Sequence, residues 1–227
     1  MTQDNFFNLN EVLGIDQFYQ TEGIFYQPFF EFESKLGSLQ RFYAMSTAAS
    51  KRYLVESQTS AAITKAKEQS AELDHIHFDI TNSDLQYFDN FLLSSVLAQI
   101  FSLFESFLLE VIEAAKEELK TDEPISKDNI PLANRYLKWL TTAAGCEITI
   151  SKDTWATFDV LRQIRNQFVH AHITEVPEQM KRRFLEIKDT TAAAGLSEAE
   201  GYAYVGFKTI ATAVKQVELG FLKRFSE

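Results

Sequence analysis

Residues 85–119 read LQYFDNFLLSSVLAQIFSLFESFLLEVIEAAKEEL. At helical spacing, Ser95, Gln99, Ser102, Ser106, Glu110 and Glu113 fall on one stripe, and most of the remaining face is Leu, Ile, Phe, Val and Ala. A helix apolar over so much of its surface belongs in the middle of a bundle. Glu105 leaves the polar stripe and falls among Phe101, Leu108 and Ile112. A carboxylate there is either buried and answered by a cation such as Arg165 or Arg162, or exposed on a face read wrongly.

Working outward, the other segments also read as helices. Residues 29–74 carry Leu36, Leu39, Phe42, Tyr43, Ala49, Tyr53, Leu54 and Ile63 at three- and four-residue spacing, which predicts one long helix or two, with Gly37 as the weak point. Residues 1–28, punctuated by Gly14, Gly23 and Pro28, read as an irregular arm. His75–Asp84 (HIHFDITNSD) reads as a connector, with Asn82 or Ser83 capping the next helix. Within it His75 and His77 form a His-x-His pair, a weak metal signal beside the plainer reading of a solvated loop.

Beyond residue 119 come a polar loop at 120–130 and a short helix over Leu132–Ala144 ended by Gly145. Glu147–Ile150 suits a short strand or an extended loop. Ser151 or Asp153 caps a helix over Thr154–Ile173, Pro177 breaks the chain, and a further helix covers Glu178–Lys188. Ser197 with Glu200 forms a capping-box pattern that starts a last helix to Phe225, with Gly201, Gly206 and Gly220 as soft spots. With 8 Gly and 4 Pro in 227 residues there is little to build the turns of a β-sandwich, so the fold class is all-α. The organisation expected is an N-terminal arm and helical extension over 1–80, followed by a helical bundle over 81–227.

Cys146 is the single cysteine, which excludes an intramolecular disulfide framework and multi-cysteine metal sites. No zinc motif, phosphate loop or nucleophile elbow occurs, so no metal or cofactor is expected. The start, MTQDNFFNLNEV, lacks the basic region of a signal peptide. The uncharged apolar run Phe91–Phe104 is short for a bilayer. The expectation is a cytoplasmic protein with no membrane partner. A net charge of −10 excludes general affinity for nucleic acid, so any phosphate contact needs a local basic patch.

One segment offers such chemistry. In residues 158–172, Phe158, Leu161, Ile164, Phe168 and Ala171 make an apolar stripe. The opposite face carries Asp159, Arg162, Gln163, Asn166 and His170, with Arg165 on the flank. One helix thus presents guanidinium, amide and imidazole groups, the donors and proton acceptor that phosphate chemistry uses. From Arg162 to Lys188 six Lys or Arg face three Glu, and Lys181-Arg182-Arg183 is the densest cluster. That cluster suits either an RNA-contacting face or an ordinary solvated helix with partners one turn away.

Arg165-Asn166-Gln167-Phe168-Val169-His170 resembles the Arg-polar-x-x-x-His signature of the HEPN superfamily, the higher eukaryotes and prokaryotes nucleotide-binding domain. The resemblance implies a HEPN-like helical bundle, here with an additional N-terminal helical region. It further implies a metal-independent endoribonuclease whose two subunits pair their motif helices in one composite cleft. His170 would move protons at the ribose 2′-OH or the leaving 5′-oxygen, Arg165 would hold the scissile phosphate, and Asn166 would orient His170 or bond the phosphate. His172 is the second candidate histidine, read more readily as a supporting residue. The implied partners are RNA, a second copy of the chain and an antitoxin or defence protein, since a toxin or phage-defence setting comes with the family. The family also holds non-catalytic members, so a nucleotide- or protein-binding module is the alternative.

Overall fold

The protein is described by a computed structural model that covers residues 26–68, 71–171, 175–187 and 198–225, with residues 26, 61–86, 169–171 and 187 as backbone alone. Among the described residues there are six α-helices and no strand: α1 (Tyr26–Glu68), α2 (Ala71–Leu119), α3 (Leu132–Thr142), α4 (Lys152–Ala171), α5 (Glu178–Ile187) and α6 (Glu198–Phe225). The fold is all-α, as the scarcity of turn-forming residues requires.

α2 is the axis of the bundle and packs against α1, α3, α4 and α6. Its Leu93, Leu97, Ile100, Phe104, Leu108 and Ile112 are buried at the three- and four-residue spacing of a single helix face. Tyr87–Leu119 is long and apolar enough to cross a membrane, a longer stretch than the Phe91–Phe104 run. Here its apolar face carries the core of the bundle. The polar stripe read from the sequence stays at the surface, with Gln99, Ser102, Ser106 and Glu113 exposed.

α1 lies antiparallel to α2. Lys35 near its start pairs with Glu110, and Ser50 Oγ donates to Asp89 at 3.5 Å. Its buried Phe29, Phe32, Leu36 and Tyr43 join the same cluster as the rest of the bundle. Gly37 does not interrupt it: the helix runs on either side, because tertiary packing outweighs the modest propensity cost of one glycine.

The connector expected at His75–Asp84 is not one. α2 begins at Ala71 and passes through it, so Asn82 and Ser83 are interior residues and no cap forms there. The segment contains neither Gly nor Pro. Asn, Asp and Ser alone weaken a helix by tenths of a kilocalorie and do not end it. The division expected between residues 80 and 81 therefore falls inside α2, and α1 shares one core with the remaining helices.

The later elements follow their local signals. Gly145 takes φ +73°, and the Cys146 N–H returns to the Leu140 carbonyl at 2.9 Å, closing α3. Burial pushes the Cys146 thiol up to about 11, which leaves it a packing residue. Residues 145–150 are an extended loop without strand pairing. Ser151 Oγ accepts the Thr154 N–H at 3.1 Å and so caps α4. Ser197 lies outside the described residues; Glu200, its expected capping partner, is buried and ion-paired with Lys51 at 2.7 Å.

Gly206 and Gly220 of α6 are packing sites and not soft spots. A Cβ on Gly206 would lie 3.2 Å from Leu97 Cδ2, and one on Gly220 would lie 2.7 Å from the Glu147 carbonyl oxygen. Both positions let α2 or the 145–150 loop approach the helix backbone.

Between α1 and α6, burial pushes the Glu218 carboxyl up to about 7, Lys215 opposes the shift and the Glu33 carboxylate adds to it. Unfolded, Glu218 ionises near its ordinary value of 4.5. Between these values the folded protein binds the extra proton, so stability falls as pH rises and the loss is complete above about 7. Glutamine mimics the protonated acid. Glu218→Gln is therefore expected to match wild type at pH 4 and to exceed it at pH 8, by about 1 kcal/mol once the full shift is discounted for solvent screening of the carboxylate, read from urea midpoints at both values. An equal difference at the two pH values would remove Glu218 as the source.

Candidate functional site

α4 brings the motif residues onto one helix. Phe158, Leu161 and Ile164 are buried and Phe168 is partly buried, so the stripe read from the sequence faces the core. The helix is antiparallel to α2: Phe158 stacks on Phe104 with ring centroids 5.4 Å apart, and the Arg165 guanidinium lies 5.3 Å from the centre of the Phe101 ring. Contact with an aromatic face holds a guanidinium in place without consuming its N–H donors.

Arg165 is also held by its neighbour. Its Nε and Nη2 donate to Asn166 Oδ1 at 3.1 and 2.8 Å. The carbonyl of Asn166 thus positions Arg165, and the remaining guanidinium N–H groups are left for an anion. The amide N–H groups of Asn166 keep the other expected roles chemically open.

α4 continues to Ala171, so His170 sits one helical turn beyond Asn166 on the same face. The side chain of His170 and the whole of His172 lie outside the described residues.

Arg162 is committed elsewhere. It pairs with Asp159 at 2.8 Å, and Gln163 Nε2 donates to the second oxygen of the same carboxylate at 2.6 Å. Arg183 extends this network from α5, donating to Gln163 Oε1 at 2.9 Å and lying 3.6 Å from Asp159. The expected basic cluster is therefore divided. Lys181 sits between Glu178 and Glu198 at 3.2 and 3.1 Å, Arg183 leans on α4, and Arg182 is exposed. Two of the three cations are already answered by carboxylates, which weakens the cluster as a phosphate patch.

Glu105 is half-buried. Burial raises its carboxyl above the ordinary range, while Arg165 and Arg135 draw it back. The expected cation is thus Arg165 and not Arg162, and Arg135 on α3 is a second one that sequence reading missed. Neither comes within ion-pair distance of Glu105 among the described residues, so the attraction acts through space.

Glu105 also lines a cavity of about 160 Å³ between α2, α3 and α4. Phe101, Phe104, Trp155 and Phe158 supply its aromatic walls, and Asn134 and Arg162 reach it from α3 and α4. Trp155 and Asn134 carried no signal that singled them out, although Trp155 precedes Phe158 by one turn on the same stripe. A larger open depression of about 850 Å³, lined by Gln27, Glu110, Glu113 and Glu117, lies further along α2 towards its C-terminus and is acidic.

Comparison with family models, curated proteins and solved structures returns no match. The site is read from its own chemistry.

His75 and His77, noted as a possible ligand pair, lie on the helical backbone of α2, with side chains outside the described residues. Among the described residues no three His, Cys, Asp or Glu side chains gather as a metal site needs.

Proposed function

We propose that this chain is a HEPN-like, metal-independent endoribonuclease that acts as a homodimer. The observation that supports this reading most is the Arg165–Asn166 pair, braced on Phe101 and followed one turn later by His170 on the same helix. A fixed guanidinium beside an imidazole is the equipment for cleaving a phosphodiester by internal attack. In that reaction His170 accepts the proton of the ribose 2′-OH or donates one to the departing 5′-oxygen. The 2′-oxygen bonds to phosphorus, the bond to the 5′-oxygen breaks, and Arg165 neutralises the charge that builds on the phosphoryl oxygens. The products are a 2′,3′-cyclic phosphate and a 5′-hydroxyl.

One subunit supplies one Arg–His pair, and a second copy provides the acid that complements the base. The exposed Phe91 and the exposed Gln99–Ser102–Ser106 stripe on α2 offer a surface for that copy. We place the protein in the cytoplasm, in a toxin or phage-defence setting with an antitoxin or defence partner. That setting rests on the family resemblance.

A second reading, a non-catalytic nucleotide- or protein-binding module, draws on the same guanidinium, because holding an anion needs no histidine. Incubation with tRNA, rRNA and mRNA in EDTA separates the two. Fragments ending in cyclic phosphate are expected from the enzyme. RNA retained uncut by a dimeric protein would transfer the reading to the binding module.

A further inference from the structure

We infer that the cavity between α2, α3 and α4 accepts a single nucleobase, and that Glu105 selects guanine. The inference rests on α4 as the RNA-contacting helix and extends it to base preference.

Size comes first. Whole drug-sized ligands occupy about 300–1,000 Å³, whereas about 150 Å³ suffices for benzene. A cavity of about 160 Å³ therefore holds a flat ring system and not a whole nucleotide. Its walls are the right material: Trp155 and Phe158 stand with ring centroids 5.6 Å apart, and Phe101 and Phe158 with centroids 5.9 Å apart. Aromatic faces of this kind stack on bases in single-stranded RNA.

Polarity selects among the bases. Guanine alone has two adjacent donors, N1–H and the N2 amine, on its Watson–Crick edge. A carboxylate accepts both at once. Adenine and cytosine set a ring-nitrogen acceptor beside their amine, and uracil flanks its N3–H with two carbonyls, so each turns a lone pair towards the carboxylate. Two half-buried carboxylates reach the cavity, but both oxygens of Asp159 are taken by Arg162 and Gln163, which leaves Glu105 to accept from a base, and Asn134 adds an amide at the same rim. Burial raises the Glu105 carboxyl, and Arg165 and Arg135 draw it back towards the accepting, ionised form.

Position joins the cavity to the chemistry. Phe101 forms its wall and also carries the Arg165 guanidinium. A base seated there would put its own phosphate within reach of Arg165.

The test uses uncleavable 2′-O-methyl hexamers, hexauridylate and the same strand with one central guanine, binding the full-length protein in an anisotropy titration. About tenfold tighter binding of the guanine strand is expected, with much of the advantage lost when inosine, which lacks the N2 amine, replaces guanine. Glu105→Gln is expected to abolish the preference, because its amide accepts at one atom only and no longer repels the carbonyls of uracil, while the far-ultraviolet circular dichroism stays unchanged. Equal binding of both strands by wild type would overturn the inference. So would a guanine preference that survives in Glu105→Gln. RNA cutting with unaltered base preference in that variant would sink the pocket and leave the ribonuclease standing. A Glu105-dependent guanine preference in a protein that cuts no RNA would do the reverse.

Discussion

His170→Ala is expected to lower the single-turnover rate of RNA cleavage in EDTA by about 10²- to 10⁴-fold, the range that a positioned general acid or base contributes. The substitution should leave the fold alone. His170 lies on α4 beyond the buried Phe158, Leu161 and Ile164, and alanine is the better helix former. Arg165→Ala is expected to cost about 10²- to 10³-fold through lost stabilisation of phosphoryl charge. It should also weaken binding of uncleavable RNA, which His170→Ala should not. His172→Ala is expected to stay near the wild-type rate. A variant at His170 that cuts at the wild-type rate would move the proton transfer to His172 or end the assignment. Growth arrest on expression, relieved by His170→Ala, would connect the chemistry to toxicity.

What the sequence disclosed, and what it withheld, follows from the range of the forces involved. The stripe Phe158–Leu161–Ile164, the Ser151 cap and the Gly145 turn are local, and each sits where its own neighbours dictate. The misreading of His75–Asp84 had a different origin. Asn82 and Ser83 are good caps, yet nothing in the segment stops a helix, and a local preference of tenths of a kilocalorie yields to the surrounding helix. Gly206 and Gly220 looked soft because a glycine's cost in a helix is visible in sequence, while the approach of Leu97 or the Glu147 carbonyl that repays it is not. The site divides in the same way. Asn166 beside Arg165 was legible as a pair of polar neighbours, but that its carbonyl grips the guanidinium depends on rotamers. The base-sized cavity was invisible, because Phe101, Asn134 and Trp155 meet only when three helices have packed. The long-range ion pair Lys181–Glu198 likewise divided a basic cluster that looked self-contained.

Phe107→Ala is expected to destabilise the protein by about 3–5 kcal/mol, the cost of removing a buried aromatic ring and leaving its cavity. Phe107 is 1% exposed on α2 and meets rings from both sides of the α1–α2 contact. Its centroid lies 5.2 Å from Phe29 in an edge-on arrangement, 4.9 Å from Phe32 and 6.4 Å from Phe104. Phe29 in turn lies 6.2 Å from Phe221 on α6, so the lost ring supports a chain of aromatic contacts that runs through three helices. Neighbouring rings tilt into part of the space, but those of α1 are anchored by Leu36 and Tyr43 and cannot collapse far. At about 2–4 °C per kcal/mol for a chain of this length, the melting temperature should fall by about 6–20 °C. Phe88→Ala, at a residue 42% exposed, should change stability by less than about 0.5 kcal/mol and serves as the control. The urea transition should stay single, with its slope unchanged and its midpoint lowered, because α1 and the rest of the bundle share one core. A loss below 1 kcal/mol, or two separated transitions, would mean that α1 folds apart from the bundle. The N-terminal region would then be an extension docked on a self-sufficient body, as the sequence alone led one to expect.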